Sequence, residues 1–302
     1  MRDISLDEEP AKLPVHTFLI YGDTRTGKTE FGGTMPRPLI IVDPTEGGYT
    51  TLKNMDRSKW FEEGVAPIVK GFENMNDLSA FQPELKALIA AKRVLTVVHD
   101  AWSFYCDWFL SKIQESQTKL DNRAAYGTLG QHLRKMRTDY HSLGVNVVWN
   151  CLAKHPDSDD PKGRPMIPGK ESDKFAAGVN FLFHSRIEQR REGGKVVATE
   201  YQLRTQQFGN YIVGNREGIY AGNLPDPFTG SYSDFLAVLG YDVDEIRKSL
   251  PTPGPIAKVT PAAAPAAASK GPVVITKAST PRPAVPVKAT NNNPASKATS
   301  NK

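Results

Sequence analysis

Residues 21–30 read YGDTRTGKTE, with Gly22 and Gly27 five positions apart and Lys28 and Thr29 directly after the second glycine. The stretch fits the pattern G-x-x-x-x-G-K-[ST]. The spacing has a mechanical cause. Glycines let the backbone curl until successive N–H groups point at one centre, which makes a nest for phosphate oxygens. A loop of this kind opens a helix, and the partial positive charge of the helix N-terminus faces the same phosphates. Gly22, Asp23, Thr24, Arg25, Thr26, Gly27, Lys28 and Thr29 are therefore the candidate ATP-binding residues. Lys28 would reach the β- and γ-phosphates, and the Thr29 hydroxyl would bind Mg²⁺.

The mechanism requires a strand before the loop and a helix after it. Residues 15–21, VHTFLIY, are β-branched and aromatic and read as a buried strand. A short helix is expected from Lys28 to Thr34, stopped by Pro36. Further apolar runs lie at 38–43 (PLIIVD), 94–100 (VLTVVHD) and 145–152 (VNVVWNCL), with a shorter one around APIVKGF. Helical spacing fills the intervals: a helix capped by Asn76 and running to about Lys92, then helices over 101–118 and 124–142. Strands alternating with helices at this pitch predict an α/β fold, a mostly parallel sheet with helices on both faces. After residue 152 the pattern changes. Residues 153–173 read as a long polar loop that Pro and Gly keep extended and mobile, followed by FLFHSRIEQRR, a Gly193-Gly194 turn and KVVATEYQLRT, a closing β-hairpin.

Charge is distributed unevenly. From Pro251 onward the chain has no acid and no aromatic residue and is rich in Pro, Ala and Lys, the composition of a disordered tail. That tail holds seven of the 38 Lys and Arg residues, so residues 1–250 carry 31 bases against 33 acids, a net charge of −2. The expected organisation is an N-terminal arm over 1–13, a nucleotide-binding domain over 14–250 and the basic tail over 251–302. The tail either solubilises the protein or contacts nucleic acid or an acidic partner such as a single-strand-binding protein. The start, MRDISLDEEP, lacks an apolar signal region, and no run approaches 18 apolar residues, so no membrane association is expected. Cys106 and Cys151 stand apart without metal spacing and read as buried thiols of a cytoplasmic protein.

Two acids are candidates for the chemistry. Asp100 ends the VLTVV strand at the carboxyl edge of the sheet, where ligands collect in open α/β folds, and would hold Mg²⁺ directly or through water. Its neighbour His99 is expected to pack against a helix. Glu46, in VDPTEGG, lies just past the strand after the phosphate loop and would orient and deprotonate the attacking water, with Asp43 as the competing base.

In this order, the phosphate loop, DPTEGG, the strand ending in Asp100, VVWNCLAKH and the closing hairpin resemble the RecA-like P-loop ATPase core over roughly residues 14–220. With only about 14 residues before the first strand, the chain is similar to the minimal phage proteins built from this core, which act in single-strand annealing and recombination. The resemblance implies catalysis by Glu46, a γ-phosphate-sensing residue at Asn150 where the RecA type has Gln, and homo-oligomers with ATP between subunits. It also implies a second DNA-binding loop over 153–173, with Lys154, Lys162, Arg164 and Lys170 as candidate contacts to single-stranded DNA. That segment contains five acids as well as its bases, and no aromatic residue for base stacking. The RecA type sends lysines from a neighbouring subunit to the γ-phosphate. Here the matching stretch is LRTQQFGN, leaving Arg204 and the later Arg216 as candidates. Arg123, Tyr126, Arg134, Lys135 and Arg137 either line a DNA channel or form an exposed helix face. Three functional readings stay open: a DNA-stimulated ATPase in a host cytoplasm, a nucleotide-gated annealing protein without essential hydrolysis, and a P-loop motor or kinase of another class.

Overall fold

β1 (Thr17–Gly22) is an interior strand of the sheet, and all six of its residues are buried. The computed structural model describes residues 13–44, 47–62, 64–116, 122–216 and 223–250. Residues 1–12 of the arm, Glu46 and the basic tail thus lie outside the described residues.

Four further parallel strands complete the alternation. They are β2 (Leu39–Asp43), β3 (Ile68–Gly71), β4 (Thr96–Asp100) and β5 (Asn146–Lys154). β6 (Arg164–Pro165) folds back on β5, and β7 (Phe181–Glu192) runs parallel to β1 on its other side. β8 (Lys195–Arg204) pairs antiparallel with β7, as does the short β9 (Gly214–Asn215). The order is β3-β2-β4-β5-β1-β7-β8. This is a mostly parallel sheet with a closing hairpin. Gly193 and Gly194 take φ of 56° and 80°, the positive values that a two-residue hairpin turn matching strand twist demands.

Side-chain alternation along β1 assigns its residues to two cores. Leu19 and Tyr21 face a cluster shared with α3 (Met75–Ala90), α4 (Trp102–Ser116), α5 (Asn122–Leu143) and α6 (Glu171–Ala176). Phe18 and Ile20 face the opposite cluster, built with α1 (Lys28–Gly33), α2 (Thr50–Lys53), α7 (Tyr232–Val238) and α8 (Val243–Ser249). Phe18 stacks on Phe181 at 5.1 Å and meets Phe235 edge-on at 5.2 Å. Helices therefore cover both faces, as parallel strands with continuous apolar runs require. Among the described residues, no helix is long and apolar enough to cross a membrane.

Two expectations are corrected. The cap of α3 is Asn74, not Asn76: its side chain accepts from the N–H groups of Asn76 (2.9 Å) and Asp77 (3.0 Å), two of the donors that a helix start leaves open. Residues 153–173 are not an extended loop either. β5 continues to Lys154 and pairs with β6, and Asp157 closes a turn by accepting from Asp159 N (3.0 Å) and Asp160 N (2.7 Å). Asp160 then draws Lys154 and Arg164 onto one carboxylate, and α6 follows. The acids that dilute the segment's positive charge are what fold it.

His16 and His99 are buried on opposite faces of the sheet. His16 Nδ1 meets Tyr232 Oη at 2.9 Å, and His99 Nε2 meets Tyr140 Oη at 3.0 Å. Burial lowers both from 6.5 to about 3. The unfolded chain takes up protons on these groups below pH 6.5 while the folded chain refuses them. Their contribution is complete above pH 6.5 and is lost as pH falls toward 3. Urea unfolding at pH 5 should show about 4 kcal/mol less stability than at pH 7 from these two groups together. In His99→Gln the difference should shrink by about 2 kcal/mol.

Candidate nucleotide-binding site

The candidate site lies where the carboxyl ends of β1, β4 and β5 meet, the position at which open α/β sheets bind ligands. Gly22 ends β1 with no room for a side chain: a Cβ there would fall 2.3 Å from the Ser185 carbonyl oxygen on β7. Gly27 has φ of 86°, and its would-be Cβ position is filled by Tyr201 of β8 at 2.6 Å. Both glycines are thus required by the packing as well as by the curl of the loop. Thr26 closes the turn by donating to the Asp23 carbonyl at 2.8 Å, and its hydroxyl also meets Ser185 Oγ at 2.6 Å. Arg25 takes φ of 64° at the tip of the loop.

Lys28 is only 8% exposed. Its ammonium donates to Gly22 O at 3.0 Å and Asp23 O at 2.5 Å. Burial lowers its pKa, while the nearby Asp100, Cys151 and Asp23 pull the other way. Thr29 Oγ1 donates to Asp100 Oδ2 at 2.5 Å. Burial raises the Asp100 pKa against the opposing pull of Thr29, Asn150 and Lys28. Gly48, after β2, brings its backbone over this pair: a Cβ there would lie 2.8 Å from Asp100 Oδ2. A cleft of about 720 Å³ opens above them, lined by Thr24, Arg25, Lys28, Thr29, Asp100 and Tyr201 among others.

The expected partners converge in this region. Thr29 and Asp100 offer one hydroxyl and one carboxylate, all-oxygen donors of the kind Mg²⁺ takes when phosphates complete its shell. No group of three or more His, Cys, Asp or Glu residues that could hold a metal ion occurs among the described residues. Asn150 is paired with Asp100 across β4 and β5 and is wholly buried, yet neither Oδ1 nor Nδ2 makes a hydrogen bond of normal geometry. A buried amide in that condition is exceptional; it lies beside the Asp100 carboxyl, whose pKa it pulls down, and does not itself line the cleft. Asp43 is buried at the end of β2, and Glu46 falls outside the described residues.

The outlying candidates divide. Lys154 and Arg164 are held by Asp160, while Lys162 and Lys170 make no ion pair among the described residues. On α5, Arg134 binds Glu171 at 2.8 Å, Lys135 binds Asp139 at 3.1 Å and Arg137 donates to the Phe175 carbonyl at 3.1 Å, so these cations dock α6 or pair along their own helix. Arg204 pairs with Asp226, Nε to Oδ1 at 3.0 Å, and lies over Phe208 at 4.3 Å. Arg216 sits at the opposite edge of the sheet, where its N–H donates to the Asn180 carbonyl at 2.8 Å. Sequence reasoning assigned no role to Ser185 or Tyr201, which shape the phosphate loop from β7 and β8. Nor did the sequence single out His155, whose imidazole reaches the Asp23 carboxylate at 2.8 Å. Contacts across more than a hundred residues leave no local signal.

Strand, glycine-bounded loop, buried lysine, helix, and hydroxyl facing a strand-end aspartate together define a P-loop nucleotide-binding core. The profile described as an AAA domain matches residues 16–202, and the chain belongs to that family. No curated protein sequence matches it. Among solved structures it is similar to the KaiC-like protein PH0186 of Pyrococcus horikoshii OT3, at 13% identity and a TM-score of 0.36, covering 67% of this chain and 83% of that one. A likeness that distant carries no functional argument.

Because Asn150 forfeits no normal hydrogen bond, Asn150→Ala should change the urea unfolding free energy by less than about 1 kcal/mol. Turnover of ATP at saturating concentration should nevertheless fall at least about tenfold.

Proposed function

We propose that the chain is an ATPase whose nucleotide state governs how copies of it assemble on single-stranded DNA, in phage recombination, annealing or repair. The observation that carries the reading is the convergence of Lys28, Thr29 and Asp100 on one cleft, with the buried Asn150 beside Asp100 on the neighbouring strand. On binding, Lys28 exchanges its two backbone carbonyls for β- and γ-phosphate oxygens. Thr29 and Asp100 would hold Mg²⁺, which neutralises phosphate charge when bound. Glu46 is the candidate to take the proton of the attacking water, with Asp43 the competitor, and Asn150 is the candidate to sense the γ-phosphate. Water adds to the γ-phosphorus, the bond to the β-phosphate oxygen breaks, and ADP and phosphate leave. The DNA half of the reading is supported by the RecA-like resemblance and by Lys162 and Lys170 on the segment that follows β5.

The test is ATP turnover at low salt with and without single-stranded DNA. Stimulation of at least about tenfold is expected, decaying as salt displaces phosphate contacts. Lys28→Ala should abolish retention of Mg-ATP, and Glu46→Gln should retain nucleotide but not hydrolyse it. Equal turnover with and without DNA would defeat the DNA half. Annealing that persists in Glu46→Gln would mark the nucleotide as a structural ligand instead.

A further inference from the structure

The phosphate loop is held from outside by a contact that the nucleotide chemistry does not require. His155 lies just past β5, 132 residues from Asp23, and its Nε2 meets Asp23 Oδ1 at 2.8 Å. Carboxylate oxygens only accept, so Nε2 carries the proton. In the neutral ring Nδ1 then accepts from the Tyr211 hydroxyl, 2.7 Å away. Tyr211 is itself fixed: its ring stacks on His184 of β7 with centroids 4.1 Å apart. Gly163 presses against that ring so closely that a Cβ would fall 2.3 Å from Tyr211 Cδ1. Gly163 N donates to Asn210 O at 2.9 Å and Ile212 N donates to Gly163 O at 3.0 Å, knitting residues 208–212 to the segment 155–165.

An exposed ion pair contributes little by itself, because two long side chains must be ordered to make it. Here the imidazole is oriented through its second nitrogen by an immobilised tyrosine, so much of that ordering is already done. At the other end, the carbonyl of Asp23 accepts from Lys28 Nζ at 2.5 Å. One residue thus joins the ammonium that must turn to phosphate, through its main chain, to the segment after β5, through its side chain.

We propose that His155 is a positioning residue that couples the phosphate loop to the segment 155–165, so that occupancy of either changes the other. The inference rests on the loop taking a nucleotide triphosphate. When Lys28 leaves the Asp23 carbonyl, the Asp23 side chain carries the change to His155, Tyr211 and Gly163. By linkage, a ligand that reorders the segment shifts nucleotide affinity by the same factor.

Hydrogen exchange separates the tie from the nucleotide reading. In nucleotide-free protein, His155→Ala should speed exchange of the amides of residues 23–28 at least about threefold. His155→Gln, whose amide N–H reaches out as Nε2 does, should restore most of that protection. With saturating Mg-ATP, wild type should show slowed exchange over 155–165 as well as over the phosphate loop. His155→Ala should show it over the phosphate loop only, with Mg-ATP affinity within about fivefold of wild type. Unchanged exchange over 23–28 in nucleotide-free His155→Ala would overturn the proposal. So would a wild-type response of 155–165 to Mg-ATP in that variant. If wild type retained no Mg-ATP, the nucleotide reading would fall, and the nucleotide-free comparison would still decide whether His155 holds the loop.

Discussion

An ammonium group buried at the carboxyl edge of the sheet sets the terms for everything around it. Lys28 is buried at the floor of a cleft lined also by Gly48 and Tyr201, and a buried unpaired charge is among the costliest things a fold can contain. Two backbone carbonyls accept from it and Asp100 lies near it. Those carbonyls are within reach only because the loop doubles back on itself. The curl needs a positive φ at Gly27 and a side-chain-free approach of Gly22 to β7. The loop that would grip phosphate is thus shaped first by the need to hold its own lysine.

The same constraint explains why β1 is interior. A strand that ends in such a loop must be rigid, and β1 is paired along its length on both sides, with β5 and with β7. Its two faces anchor separate cores. Aromatic side chains crowd one of them, where His16, Phe18, Phe181, Tyr232 and Phe235 meet edge-on or stacked. β4 is separated from β1 by β5, so Asp100 faces Thr29 across a strand that carries Asn150 level with Asp100. Thr29 and Asp100, from distant parts of the sequence, therefore share one cleft, with Asn150 buried beside Asp100.

Much of this was legible in the sequence because its causes are local. Continuous apolar runs gave the buried strands, the phosphate loop is a contiguous pattern, and the Gly193-Gly194 pair marked the hairpin. Asn74 rather than Asn76 caps α3, a two-residue error of the kind made when either of two nearby asparagines would serve. α7 and α8 received no assignment, although Ser231 with Asp234 forms a capping box and Asp242 caps α8. Residues 153–173 misled for a physical reason. Composition counts acids and bases but not their pairing, and one carboxylate, Asp160, converts a polar stretch into an ordered turn. The contacts of His155, Ser185 and Tyr201 with the phosphate loop exist only once the sheet has formed.

The placement of the two outlying arginines constrains any assembly in which a neighbour reaches the nucleotide. Arg204 lies near the carboxyl edge, and its guanidinium is tied to Asp226, with both side chains largely buried. Freeing it would leave that carboxylate only the Thr205 and Gln206 N–H groups as donors. Among the described residues Arg216 carries no such tie, but it is anchored beside Asn180 at the amino edge, one strand length away, about 20 Å. Within a single chain it cannot reach its own phosphate loop. A neighbour's Arg216 can approach that loop only if the amino edge of one copy faces the carboxyl edge of the next. A contact between two different edges is heterologous, and repeating it closes a ring or extends a filament instead of ending in a two-fold dimer. In such an array each nucleotide would lie between copies, and the segment 155–165, tied to the same phosphate loop by His155, would sit at the junction with the next subunit.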